Sequence, residues 1–157
     1  MVPVSTYKTF WEYLITVVQG IDQVFIFNDE YQLSEIIRDV EAGKVLLVAV
    51  IPSTDIVASS YDDYEEVSSC YVFLLKKSDP GNMTHAEFLT EMEAMQVIMT
   101  AVKHKLIEFN ADYDHCSNAN IKLIHRLILS SIHTDPEYNL MGCNGWGIFF
   151  KLKTTGV

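Results

Sequence analysis

The stretch HTDPEYNLMGCNGWGIFFKLKT, residues 133–154, carries the most regular strand pattern in the chain. From Trp146 onward, apolar side chains alternate with glycine, phenylalanine and lysine, which is the period-two pattern of a strand with one buried face. The buried face is predicted to consist of Trp146, Ile148, Phe150 and Leu152. The opposite face would consist of Gly147, Phe149, Lys151 and Lys153. Asp135-Pro136 is a typical turn start. We therefore predict a connection followed by a closing strand, and a buried Trp146.

The same stretch contains His133 and Cys143, two residue types that can form a thiolate–imidazole pair. Their separation in sequence defines no geometry, and no glycine-rich oxyanion loop accompanies them. We therefore predict that these residues belong to the scaffold, that no residue is catalytic and that the protein is not an enzyme. A chemical role for Cys143 or for one of the histidines stays open at this point.

The segment immediately before this stretch is ambiguous. Residues 121–132, IKLIHRLILSSI, have apolar spacings that allow either a helix or a strand. β-Branched residues are frequent in it, and the following segment resembles a hairpin partner. These two features favour a strand.

A long amphipathic helix is predicted upstream. Thr84-His85-Ala86-Glu87 has the form of a capping box, in which the threonine hydroxyl and the glutamate carboxylate each accept a backbone N–H. Apolar residues then recur at spacings of three and four: Phe88, Met92, Met95, Met99, Val102, Leu106 and Phe109. The helix is therefore expected to reach about Phe109, with its methionines packed in the core.

The first half of the chain contains five further predicted elements, two helices and three strands. A helix over Ser5–Gly20 would be capped by Ser5 or Thr6, and Asn28-Asp29 would cap a second helix. The run KVLLVAVI lacks polar alternation, as expected of a central strand covered on both faces. The remaining bounds are Gln23–Phe27 (strand), Glu30–Glu41 (helix), Lys44–Ile51 (central strand) and Val67–Lys77 (strand).

Between the last two strands, residues 53–66 are polar and acidic. We predict that this segment is a mobile loop. Its aromatic and acidic residues form the predicted interaction surface: Tyr61, Asp62, Asp63, Tyr64, Glu65 and Glu66.

These elements predict one α+β domain spanning residues 1–157. Its sheet would be mixed and mainly antiparallel, with about four to five strands packed against the long amphipathic helix and the N-terminal helix. We see no internal repeat or linker in the sequence.

Composition narrows the possible functions. The formal net charge of −10 opposes contact with phosphate backbones, so direct nucleic-acid binding is not expected. No apolar run has the length needed to span a bilayer, which requires about 18 residues. The three cysteines are odd in number and far apart in sequence, which argues against a disulfide framework and favours a reducing, cytoplasmic compartment. No cofactor motif and no metal-ligand spacing is present, so neither a cofactor nor a metal is expected.

The order of elements, together with YNLMGCNGWGIFFKLK at residues 138–153, resembles the tail-terminator or tail-completion proteins of tailed bacteriophages. Members of that family are small α+β subunits that often close with an asparagine-rich turn, a Gly-Trp pair and an alternating strand. They typically form a hexameric ring that ends the tail tube and joins it to the head. The resemblance implies a structural assembly subunit, located in the virion, whose partners are copies of itself and tail-tube or connector proteins.

The residues also allow an alternative. A small non-enzymatic adaptor could bind a basic protein partner through the acidic segment, because opposite charges steer such encounters. The adaptor would be a monomer or dimer, whereas the ring subunit would form a larger oligomer.

Overall fold

The computed structural model describes residues 1–60, 63–78, 81–112 and 118–154. It confirms the predicted α+β class, with helices on both sides of a mixed and mostly antiparallel sheet. The helices are α1 (Val4–Val17), α2 (Glu30–Asp39), α3 (His85–Ala111) and a 3₁₀ helix (Ala119–Arg126). The strands are β1 (Gln23–Phe27), β2 (Val45–Val50), β3 (Ser53–Ser60), β4 (Asp63–Lys77), β5 (Leu127–Leu140) and β6 (Cys143–Thr154).

Over the described residues the sheet has six strands, which is more than the predicted four to five. Its order is β1-β2-β4-β6-β5. Strand β3 pairs with the first part of β4, on the same edge of β4 as β2. Strands β1 and β2 are parallel and are connected through α2, as a βαβ unit requires. All other pairs are antiparallel.

Strand β2 is covered on both faces, as predicted. Leu47 and Ala49 belong to the large core formed with α1, α3 and the 3₁₀ helix. Leu46 and Val48 belong to a smaller core on the other face, where they meet Leu33 and other residues of α2 and its neighbours. The alternation along one strand therefore divides the molecule into three layers, with the sheet in the middle.

Helix α1 contributes the aromatic part of the large core. Tyr7, Phe10, Trp11 and Leu14 are all fully buried and lie on one face of the helix. The predicted cap was wrong: Pro3 occupies the N-cap position and no side chain caps the helix. Proline suits a helix start because the first N–H groups have no intrahelical partner.

The capping box of α3 is confirmed. The backbone N–H of Glu87 donates to Thr84 Oγ1 at 3.3 Å, and the backbone N–H of Thr84 donates to Glu87 Oε2 at 2.7 Å. The helix extends to Ala111, close to the predicted end. Its buried residues include the predicted stripe from Met92 to Phe109, and Phe88 at its start is half-buried.

We expect Thr84→Ala to lower the free energy of unfolding by about 1 kcal/mol, since it removes an N-cap oxygen. Thr90→Ala on the same helix is the matched control. Among the described residues, the Thr90 hydroxyl donates only to the Ala86 carbonyl of the same helix, so its loss should change stability by less than about 0.5 kcal/mol. Urea unfolding followed by circular dichroism measures both, and equal losses would contradict the capping role.

The backbone and hydroxyl donors of Thr84 also lower the pKa of Glu87 from its ordinary value of 4.5. The folded state therefore favours the ionised carboxylate. Its contribution to stability is present above the ordinary value and is lost as the pH falls through the lowered pKa. The difference in free energy of unfolding between the wild type and Thr84→Ala should therefore decrease as the pH falls through this range.

The prediction of a mobile loop over residues 53–66 was wrong for the residues that the structure describes, 53–60 and 63–66. Strands β3 and β4 pair antiparallel there, with partners from Ser53↔Ser69 to Ser60↔Asp63. Strand β3 follows β2 along the same edge of β4. Between the pairs Ala49↔Val72 and Ser53↔Ser69, the β2–β3 segment advances by four residues and β4 by three. One extra residue therefore sits near Pro52, as in a β-bulge. Backbone pairing with β4, rather than burial of side chains, stabilises β3 as a strand.

The prediction of one strand over residues 121–132 was only half right. Its first half lies in the 3₁₀ helix, with Ile121 and Ile124 buried, and β5 begins at Leu127. A spacing of three places both isoleucines on one side of a 3₁₀ helix, because that helix has three residues per turn.

The turn predicted at Asp135-Pro136 is also placed differently. Both residues lie within β5, where Pro136 pairs with Trp146. The turn is Met141-Gly142, with positive φ angles of 52° and 78° that suit a two-residue hairpin. Proline is tolerated in β5 because that strand lies at the end of the sheet order.

The alternation of β6 is confirmed, since Ile148, Phe150 and Leu152 are all buried in the large core. Trp146 is half-buried rather than fully buried. Its indole N–H donates to the Met92 carbonyl at 3.1 Å, which connects β6 to α3.

Candidate interaction surface

The predicted interaction surface lies at the start of β4. Tyr61 and Asp62 fall outside the described residues, and Asp63 is described through its backbone alone. Tyr64, Glu65 and Glu66 lie on β4, opposite Ala58, Val57 and Ile56 of β3 in that order. The described part of the acidic segment, residues 63–66, therefore lies on a strand that pairs with β3.

The two described glutamates of this segment are engaged within the chain. Glu65 pairs with the Lys153 ammonium of β6. Glu66 contacts the amino group of Met1. These contacts reduce the charge that the segment offers to a partner.

Sequence reasoning missed the apolar residues of β3. Ile56 is 67% exposed and Val57 is 58% exposed, and they point to opposite faces because they are adjacent in a strand. Tyr64 on the neighbouring strand is 46% exposed. The available signal was a pair of β-branched residues inside a polar segment, which favours a strand over a loop.

Strand β3 is paired with β4 on one side, and within the described residues no strand pairs with its other edge. Its described side chains include a single charged group, Asp55. Exposed edges are normally protected by lysine, proline or inward charges. Between Pro52 and the irregularity at Ala58, this edge has no lysine or proline and carries one charge, the exposed Asp55, so it can accept a further strand.

The structure does not bring His133 and Cys143 together. His133 is the partner of Phe149, and Cys143 lies six residues away along β6, which corresponds to about 20 Å. Nε2 of His133 lies 2.9 Å from the Asp135 carboxylate. Burial raises the pKa of the Cys143 thiol to about 11, and the Lys77 charge only partly opposes this. A thiol with that pKa is not an activated nucleophile at neutral pH.

Cys70 is also buried, between the sheet and α1. Burial raises the pKa of its thiol to about 12. Burial likewise raises the pKa of the neighbouring Tyr7 phenol, with a further contribution from Cys70. Both groups are therefore neutral parts of the core.

Two other features bear on possible ligands. Among the described residues, no group of three or more histidine, cysteine, aspartate or glutamate side chains could hold a metal ion. No helix in this part of the chain is long and apolar enough to cross a membrane.

Comparison of the chain with protein-family models, with curated proteins and with solved structures finds no match. The resemblance to tail-terminator proteins therefore stays a prediction. The geometry of β3 and its neighbours is the basis for a functional proposal.

Proposed function

We propose that this protein is a structural assembly subunit that joins neighbouring copies through the edge of β3. The type of subunit that fits the order of elements is the tail-terminator or tail-completion protein of a tailed bacteriophage. Such a subunit would form a ring and join the tail tube to the head. The supporting observation is an edge strand with exposed Ile56 and Val57, whose outer edge is not covered by any described strand.

Strand addition supplies both parts of such a contact. The free backbone N–H and C=O groups of β3 would pair with a strand of the next copy, as in other sheet-extending complexes. Ile56 and Val57, on opposite faces of the strand, would each lose part of their exposed apolar area to the cross-strand side chains of the added strand. Buried apolar area contributes about 25 cal/mol per Å². Both contributions come from one short segment, which suits a repeated contact around a ring.

The net charge of −10 sets the salt dependence of this association. Identical acidic copies repel one another, and added salt screens that repulsion. Self-association should therefore strengthen as the ionic strength rises. An interface with a basic partner would weaken instead.

The adaptor alternative has less support. It places the contact on the acidic segment, where Glu65 and Glu66 already contact Lys153 and the Met1 amino group. The described exposed residues near them include Ile56, Val57 and Tyr64, which favour an apolar contact.

The test is the mass of the protein in solution, measured by sedimentation at ionic strengths of about 0.15 M and 1 M, where the Debye length falls from about 8 Å to 3 Å. We expect an oligomer that becomes more populated at high salt. The double variant Ile56→Lys, Val57→Lys should be monomeric at both salt concentrations, because the added charges protect the edge.

Val97→Lys is the matched control, since Val97 is 71% exposed on α3 and lies away from β3. It should associate like the wild type. A wild type that stays monomeric at both salt concentrations, or a double variant that associates equally well, would contradict self-assembly through β3.

A further inference from the structure

The sheet face on the side of α2 is only partly covered. Helix α2 packs over β1, β2 and the ends of β4 and β6, where Leu75 and Cys143 are buried. Farther along the same face, Tyr71 is 47% exposed, and its ring centroid lies 4.8 Å from that of Phe149. The two rings form the floor of a surface that no described element covers.

A glycine makes a depression beside these rings. Gly147 lies next to Phe149 on the same face and pairs with Phe73 on β4 and Asp135 on β5. A Cβ atom at Gly147 would lie 2.9 Å from Oε1 of Glu137 and 3.4 Å from the Phe73 ring. The missing side chain therefore lets the Glu137 carboxylate lie against the sheet. The depression has a volume of about 260 Å³.

Two carboxylates, Asp135 and Glu137, line the depression, and no described cation pairs with Glu137. Within the described residues, the Glu137 carboxylate makes no hydrogen bond or ion pair, whereas Asp135 pairs with His133 at 2.9 Å. Burial and the Asp135 charge both raise the pKa of Glu137. Both causes disfavour the charged carboxylate, so a cation placed beside Glu137 would offset them.

The aromatic floor has a polarity that complements a cation. The Lys151 ammonium already lies 6.0 Å from the centroid of the Phe149 ring. Cations are attracted to aromatic faces at about this distance, and arginine does so more often than lysine. A guanidinium can also bind a carboxylate through two parallel hydrogen bonds while its plane stacks on a ring.

We propose that this depression binds an arginine side chain presented by a protein partner, with the guanidinium between Glu137 and the Tyr71–Phe149 rings. The volume is suited to one side chain, because sites for drug-sized ligands occupy about 300–1,000 Å³. The contact lies on the sheet face, not on the β3 edge, so it holds whether or not that edge self-associates.

The experiment uses a pentapeptide with a central arginine flanked by glycine and serine, titrated into the full chain and followed by amide NMR. The shifts should concentrate at Glu137, Gly147 and Phe149. The same peptide with citrulline, which keeps the shape but lacks the charge, should bind about two- to fivefold more weakly, as expected for loss of one partly exposed charge pair.

Two variants test the geometry. Glu137→Gln removes the charge and should weaken binding of the arginine peptide about fivefold. Gly147→Ala should also weaken it, because the new methyl group displaces a flexible carboxylate rather than backbone. Glu93→Gln, an exposed charge change on α3, is the matched control and should leave binding unchanged.

Several results would overturn the proposal. Equal binding of the citrulline peptide would remove the charge recognition, and full binding by Glu137→Gln would place the contact elsewhere. Shifts of the same amides with protein concentration, in the absence of peptide, would assign the face to a second copy of the chain.

Discussion

Gly145→Ala is expected to destabilise the protein by about 4 kcal/mol or more, an exceptional value for one added methyl group. A Cβ atom at Gly145 would lie 1.8 Å from the Leu74 carbonyl oxygen and 2.9 Å from its carbon. Both atoms belong to the backbone of β4, which cannot yield locally because β2 and β6 pair with it on either side. Strands β4 and β6 would have to separate at this point, although they are paired continuously from Glu66↔Thr154 to Lys77↔Cys143.

Gly142→Ala separates this steric effect from glycine's conformational freedom. No heavy atom lies within 4 Å of a Cβ built at Gly142, but its φ of +78° is unfavourable for alanine. The expected cost is the left-handed backbone conformation alone, about 1–2 kcal/mol. Guanidinium unfolding of the two variants measures the difference, and a Gly145→Ala loss no larger than that of Gly142→Ala would mean that β4 and β6 are less tightly packed than described.

The elements predicted well from sequence are those whose side chains create the large core. Strand β6 and helix α3 each place large apolar residues at the spacing of their own period. Strand β2 was recognisable because it is apolar on both faces. In these segments the local pattern and the tertiary environment agree, so the pattern suffices.

The mispredicted elements depend on partners distant in sequence. Strand β3 has few buried side chains and is held by backbone pairing with β4. Pro136 was interpreted as a turn residue, yet it lies in β5 because Trp146 of β6 pairs with it. Periodicity in a single segment contains no information about such pairing.

The candidate surfaces show the same limit. Tyr64, Glu65 and Glu66 were predicted as interaction residues. The ion pairs of Glu65 with Lys153 and of Glu66 with the Met1 amino group were not visible in sequence. Glu137 and Gly147 are ten positions apart and meet through the register of β5 on β6. A depression that depends on strand register cannot be derived from composition or spacing.

Trp11→Ala is expected to cost about 4–5 kcal/mol, at the upper end for removal of a buried aromatic side chain. Trp11 is fully buried, and its ring centroid lies 5.0 Å from Phe10, 5.8 Å from Tyr7 and 6.2 Å from Phe150. Its removal would leave a cavity between α1 and the sheet and eliminate three aromatic contacts, each contributing about 0.5–1.5 kcal/mol beyond area burial.

Trp146→Ala is the matched comparison for that loss. Trp146 is half-buried, and its truncation removes the hydrogen bond to Met92 together with its packing against the large core. We expect a smaller cost of about 2–3 kcal/mol, from partial burial and one hydrogen bond. Thermal and urea unfolding of the two variants shows which substitution lowers the free energy of unfolding more. A cost for Trp146→Ala that equals or exceeds that of Trp11→Ala would place the main stabilising contact at the β6–α3 junction and not in the aromatic cluster under α1.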